Sequence, residues 1–119
     1  MATANQLVKT IIERMQKKKG KHIVSLDFKK IENAICRYFV ICEGDSSTQV
    51  DAIASSVEDL VQKELKVKTW GSAGYENAEW IFLDFGEVFV HVFQPHTRQY
   101  YNIEELWADC VRKDYPNVE

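Results

Sequence analysis

The 119-residue chain predicts an α/β (α+β) domain, a mixed sheet of about five strands flanked by helices. Three observations predict it. Apolar residues recur at helical spacing in two long stretches. Between and after them lie short runs rich in Val, Ile, Phe and Tyr. Two of those runs flank a tight, glycine-containing turn.

The first helix is expected over Ala4–Lys19. Leu7, Val8, Ile11, Ile12 and Met15 form one apolar face, and Thr3 with Gln6 can make a capping box. The Lys17–Lys19 run complements the negative helix end, and Gly20 is suited to the left-handed position just past it. A strand follows over His22–Asp27, then a turn through Asp27–Ile31. Arg37–Cys42 is a near-continuous apolar run, which reads as a strand covered on both faces. Gly44-Asp45-Ser46-Ser47 breaks the chain. Ser46 and Gln49 can cap a second helix whose stripe is Val50, Ile53, Ala54, Val57, Leu60 and Val61, ending near Leu65. A strand at Val67–Trp70 would complete a right-handed parallel crossover. After a polar loop over Gly71–Ala78, Glu79–Phe85 and Val88–Gln94 read as a hairpin around Gly86-Glu87. Pro95 ends the second hairpin strand, and a last helix starts near Asn102.

Residues 1–119 read as one domain, without repeat, low-complexity tract or linker. Apolar residues are 45% and charged residues 28%, the balance of a soluble globular protein. No apolar run is long enough for a membrane span, and the first residues lack a secretory h-region, so a cytoplasmic location is expected. Cys36, Cys42 and Cys110 lack metal-ligand spacing and read as core thiols. No disulfide, metal or cofactor is expected.

Net charge is −3 but uneven. Residues 1–30 carry eight basic and two acidic residues, a net of +6; the rest carry seven basic and sixteen acidic, a net of −9. An acidic body binds phosphate backbone poorly and suits a basic protein partner. The basic segment reads as a solvated face or a nucleic-acid contact.

Sites of catalysis need convergent groups. His91 sits within an apolar strand, as a hydrogen-bonded sheet histidine or a recognition residue. The Gly44–Ser47 segment has neither the phosphate-loop lysine nor its glycines, and reads as a capped turn. Trp80, Phe82 and Asp84 share one strand face, with Ile81, Leu83 and Phe85 on the other. A lone Asp near a Trp suits the grip of an Arg or Lys on a partner, with the Trp as anchor; a hairpin-capping Asp is the alternative. Arg98, Tyr100 and Tyr101 offer a cation and aromatics for base or protein contact, or simply core packing.

Three segments resemble the ribosomal silencing factor (RsfS/Iojap) family over about residues 5–110. They are Tyr38–Val50 with Gly44-Asp45-Ser46-Ser47, the long Gly74–Phe93 stretch containing Asp84-Phe85-Gly86-Glu87-Val88 and Val90-His91-Val92-Phe93, and Arg98–Trp107. Departures are Ile103, where Leu is usual, and the Gly71–Tyr75 loop. The resemblance implies a nucleotidyltransferase-like fold without catalytic acids. It implies a non-enzymatic factor that binds the large ribosomal subunit through ribosomal protein L-fourteen, blocks joining of the subunits and represses translation under nutrient limitation. The expected partner-binding residues are Tyr75, Glu76, Trp80, Asp84, His91, Arg98 and Tyr101. A minor ribosomal RNA contact and a homodimer off the ribosome are further expectations; the latter follows from aromatic residues at 12% of a small domain. The competing reading is a metal-dependent nucleotidyltransferase-like enzyme using Asp84 or Asp45.

Overall fold

A computed structural model describes residues 2–118. In chain order the elements are α1 (Ala4–Lys17), β1 (Lys21–Asp27), β2 (Tyr38–Glu43), α2 (Ser47–Leu65), β3 (Gly71–Ala73), β4 (Trp80–Asp84), β5 (Val88–Phe93), α3 (Pro95–Tyr101), α4 (Ile103–Leu106) and β6 (Val111–Asp114). The strands form one mixed sheet in the order β3-β4-β5-β2-β1-β6. Its central pair, β2 and β5, is parallel; the other neighbours are antiparallel.

Both long helices start as their sequences dictate. Thr3 and Gln6 form the full capping box of α1. Ser46 Oγ accepts the Gln49 N–H of α2, while Gln49 Oε1 reaches back to the Asp45 N–H. At the end of α1 the left-handed position falls on Lys19 (φ 65°) rather than Gly20. Lys19 N–H bonds Gln16 O, and Gly20 N–H bonds Met15 O at 2.8 Å, the paired bonds of a Schellman end. Gly20 is needed for space: a Cβ there would sit 3.1 Å from Met15 O and 3.3 Å from Cys42 Sγ.

The two helices cover one face of the sheet. Leu7, Ile11 and Met15 of α1 and Val50, Ile53 and Val57 of α2 bury against Ile23, Val40, Ile81, Leu83, Val90 and Val92. Each such side chain contributes about 1.5–3 kcal/mol through removal from water. The other face carries Val24, Leu26, Phe28, Phe39, Ile41 and Phe93, covered by the β1–β2 connection and by Ile103 and Trp107. Toward β4 that cover stops, which leaves Trp80, Phe82, Asp84 and Phe89 half-buried.

Three expectations change. Val67–Trp70 is not a strand: Thr69 Oγ1 bonds Glu58 of α2, and pairing starts only at Gly71. The crossover from β2 therefore lands on the far edge, with β4 and β5 lying between, and the parallel neighbour of β2 is β5. The last helix starts at Pro95, whose missing N–H and fixed φ suit a first helical turn; Asn102, left-handed at φ 44°, separates it from α4. A sixth strand, β6, extends the expected five by pairing with β1.

Candidate functional site: an aromatic cleft with a carboxylate rim

The β4–β5 hairpin places the site. Its turn holds Gly86 at φ 84°, with the Trp70 ring packed over it; a Cβ on Gly86 would lie 3.1 Å from Trp70 Cζ2. The turn sets the register, so the half-open sheet face shows the cross-strand pairs Trp80/Phe93, Phe82/His91 and Asp84/Phe89. The turn's position in the sequence already specifies these pairs.

Four of the expected residues meet. Tyr75, Glu76, Trp80 and Tyr101 line one open cleft of about 600 Å³, together with Ser72–Gly74, Asn77, Glu79 and Thr97. Two carboxylates and no cation stand among these residues. Trp80 stacks on Phe93 at 4.9 Å and meets Tyr101 at 5.0 Å; Tyr101 is 54% exposed. The Tyr75 hydroxyl donates to Glu58 Oε2 at 2.5 Å, so its ring borders the cleft while its oxygen ties the loop to α2. Burial and the Glu58 carboxylate raise the Tyr75 pKa and keep it protonated.

Two expected residues lie behind the surface. His91 is 6% exposed, and its Nδ1 accepts the Trp80 Nε1–H at 3.1 Å. Burial lowers its pKa to about 3, so it is neutral. Arg98 is 7% exposed and does not reach the surface as a grip. It forks onto Glu104 (2.7 and 3.0 Å), bonds Glu43 at 3.0 Å and donates to the His22 carbonyl at 2.7 Å. Burial opposes its charge; the Glu104 and Glu43 carboxylates outweigh that and raise its pKa. Arg98 thus fixes α3, and with it Tyr101, against the sheet.

Asp84 stands apart from the cleft, at the other end of β4. Its Oδ1 accepts the Gly86 N–H at 2.7 Å, which makes it the cap of the hairpin turn. Asp45 follows the C-terminal end of β2, whereas Asp84 pairs with Phe89 near the start of β5, which is parallel to β2. The two acids lie at opposite ends of the sheet and cannot share a metal. Among the described residues no group of three or more His, Cys, Asp and Glu side chains is placed to hold an ion. Burial pushes the Cys36 and Cys42 thiols to about 12, leaving them un-ionised at neutral pH.

Sequence reasoning missed Trp70, 79% exposed beside the turn, and the contribution of Ser72–Gly74 to the cleft wall. A Trp directly before a glycine-bearing loop was the available signal.

Sheet, hairpin and cleft define a single-sheet α+β protein presenting a preformed aromatic surface with an acidic rim. The profile of the family described as "Ribosomal silencing factor during starvation" matches residues 1–119, and the chain belongs to this family, RsfS. The chain is 38% identical over 115 residues to the ribosomal silencing factor RsfS of Halalkalibacterium halodurans, covering 96% of this chain and 92% of that one. The crystal structure of a Chromobacterium violaceum protein superposes with a TM-score of 0.84 at 39% identity, covering 90% of this chain and 88% of that one. A mouse protein named "Mitochondrial assembly of ribosomal large subunit protein 1" is 32% identical over 74 residues, 60% of this chain and 32% of its own length.

Proposed function

We propose that the protein docks on the large ribosomal subunit through ribosomal protein L-fourteen. Docked there, it obstructs joining of the subunits and lowers translation when nutrients are scarce. The observation that carries the reading is the cleft. An indole locked by His91 is exposed on one side among Tyr75 and Tyr101, with Glu76 and Glu79 on its rim and no cation among the lining residues. Buried aromatic anchors dominate protein interfaces, and carboxylates at the rim select a basic partner. Membership in a family described as ribosomal silencing factors supports the ribosome as the target; the mouse relative's name concerns the large subunit. On this reading Tyr75, Glu76, Trp80, Asp84 and Tyr101 contact the partner, and His91 and Arg98 position them.

The protein acts by occupying space, without catalysis or cofactor, in the cytoplasm. Off the ribosome the same apolar surface allows a homodimer. Any contact with ribosomal RNA is minor, since the cleft repels phosphate.

Co-sedimentation with purified large subunits tests the reading. The protein should pellet with them and lower the yield of joined ribosomes on addition of small subunits. Trp80→Ala should weaken binding at least about tenfold, roughly 1.4 kcal/mol or more. Binding by the Trp80→Ala protein at wild-type affinity, with its fold intact, excludes the cleft as the docking site.

A further inference from the structure

We propose that the outer edge of β3 is a strand-addition site. An extended, basic segment of the protein partner pairs with Gly71–Ala73 and lays alternate side chains into the cleft of Trp80 and Tyr101. The inference rests on the docking reading above and specifies how the partner is held.

The sheet has two edges, and they differ. At one end β6 reads Val111-Arg112-Lys113-Asp114, and its three charged side chains guard the strand against pairing with another chain. At the other end β3 reads Gly-Ser-Ala and continues into Gly74, all exposed, with no charge and no proline. A Cβ built on Gly71 would meet nothing within 4 Å, so the sheet face is open here as well. An unguarded edge is a liability unless something occupies it.

The edge is also held ready. Its inner side pairs with Asp84, Leu83 and Phe82 of β4. Trp70 N–H bonds Asp84 O at 2.7 Å just before it, and Ala78 N–H bonds Gly74 O at 2.9 Å just after it. Thr69 and Tyr75, on either side, both bond the Glu58 carboxylate of α2. Gly74, at φ 96°, lies so close to the Trp80 carbonyl that a Cβ would collide with it. The strand is therefore fixed before any partner arrives, which lowers the ordering cost of pairing.

The cleft specifies the occupant. Ser72, Ala73 and Gly74 form its wall. A strand added there gains main-chain hydrogen bonds along the wall, while every second side chain enters the space over Trp80. Glu76 and Glu79, with no cation among the lining residues, select basic side chains and disfavour a phosphate backbone. The exposed Trp70 ring stands at the start of the same strand.

The test uses the whole protein and purified large ribosomal subunits, with co-sedimentation first. Amide hydrogen exchange is then compared between free and subunit-bound protein. The amides of residues 71–73 should slow by about tenfold or more in the complex. Ser72→Pro, which removes a backbone donor and fixes φ, should weaken binding by about tenfold. If Ser72→Pro disturbs the fold on melting, the exchange result on the unaltered protein decides alone. No binding by the unaltered protein overturns both the docking reading and this one. Binding with unchanged exchange at residues 71–73 overturns strand addition and leaves docking intact. Equal affinity for protein-free ribosomal RNA overturns the peptide occupant.

Discussion

Trp80 and His91 form one unit: the indole N–H donates to His91 Nδ1 at 3.1 Å, leaving the imidazole proton on Nε2 among the rings of Phe39, Phe82 and Phe93. Among the described residues no acceptor reaches Nε2. The cost of that buried, unbonded donor is borne by the fold, and the return is an indole whose orientation is set before a partner arrives.

This arrangement makes stability depend on pH. Burial lowers the His91 pKa from 6.5 to about 3. Above 6.5 the side chain is neutral in both states and the full stability is present. Between 6.5 and about 3 the unfolded chain binds a proton that the folded chain does not, so stability falls by up to about 1.4 kcal/mol per pH unit. Urea midpoints should fall between pH 7.5 and 5 for the unaltered protein, and fall less for His91→Gln. Equal slopes for the two proteins exclude His91 as the source.

Arg98 should behave as an internal tie. Arg98→Met strands the Glu43 carboxylate, leaves Glu104 with Arg112 at 3.4 Å, and should cost about 3–5 kcal/mol in urea unfolding. Glu104→Leu added to Arg98→Met should recover part of the loss. The hydrogen bond from Arg98 holds Glu104 below its ordinary 4.5. Its contribution is complete above 4.5 and disappears as pH falls through the lowered value. A loss under 1 kcal/mol, on the order of a surface pair, would place Arg98 outside the core.

Asp84 has two jobs that substitution can separate. Asp84→Asn keeps an oxygen to accept the Gly86 N–H but removes the charge; Asp84→Lys removes both. If Asp84 grips a basic partner, Asp84→Asn should melt near the wild-type temperature and bind large subunits about tenfold more weakly, with Asp84→Lys weaker still. Unchanged affinity in Asp84→Asn assigns the residue to the turn alone.

Lys17, Lys18 and Lys19 end α1, on the helix-covered side of the sheet and away from the face carrying Trp80. Charge reversal at all three should leave affinity for isolated ribosomal protein L-fourteen within about threefold, less than 1 kcal/mol. Complete loss of binding with the fold preserved would move the interface to α1.

Local signals were legible in the sequence where chemistry repeats at short range. The caps of α1 and α2, the apolar stripes, and the alternation of Trp80, Phe82 and Asp84 with Ile81 and Leu83 all lie within a turn or a strand. Misses occurred where distant partners decide. Val111–Asp114 has one apolar and three charged residues and becomes a strand only because β1 offers an edge. Val67–Trp70 has strand-forming residues, but Glu58 captures Thr69 first. The burial of Arg98 depends on Glu43 and His22, fifty-five and seventy-six positions away. Of the expected contact residues, Tyr75, Glu76 and Trp80 gathered at the cleft because the loop and the strand it enters are local in sequence, whereas Asp84 and His91 of the same hairpin were taken up by the turn cap and by burial.

The pairing of β6 with β1 also bears on how the chain is made. Val24 lies opposite Asp114, so one side of β1 stays uncovered while the ribosome adds roughly ninety residues, several seconds or more at about 5–20 residues per second. During that interval Val24 and Leu26 sit on an open strand that a neighbouring nascent chain on the same messenger could pair with. The yield of soluble protein should therefore follow elongation speed and polysome density, and slow codons between β1 and β6 should lengthen the hazard.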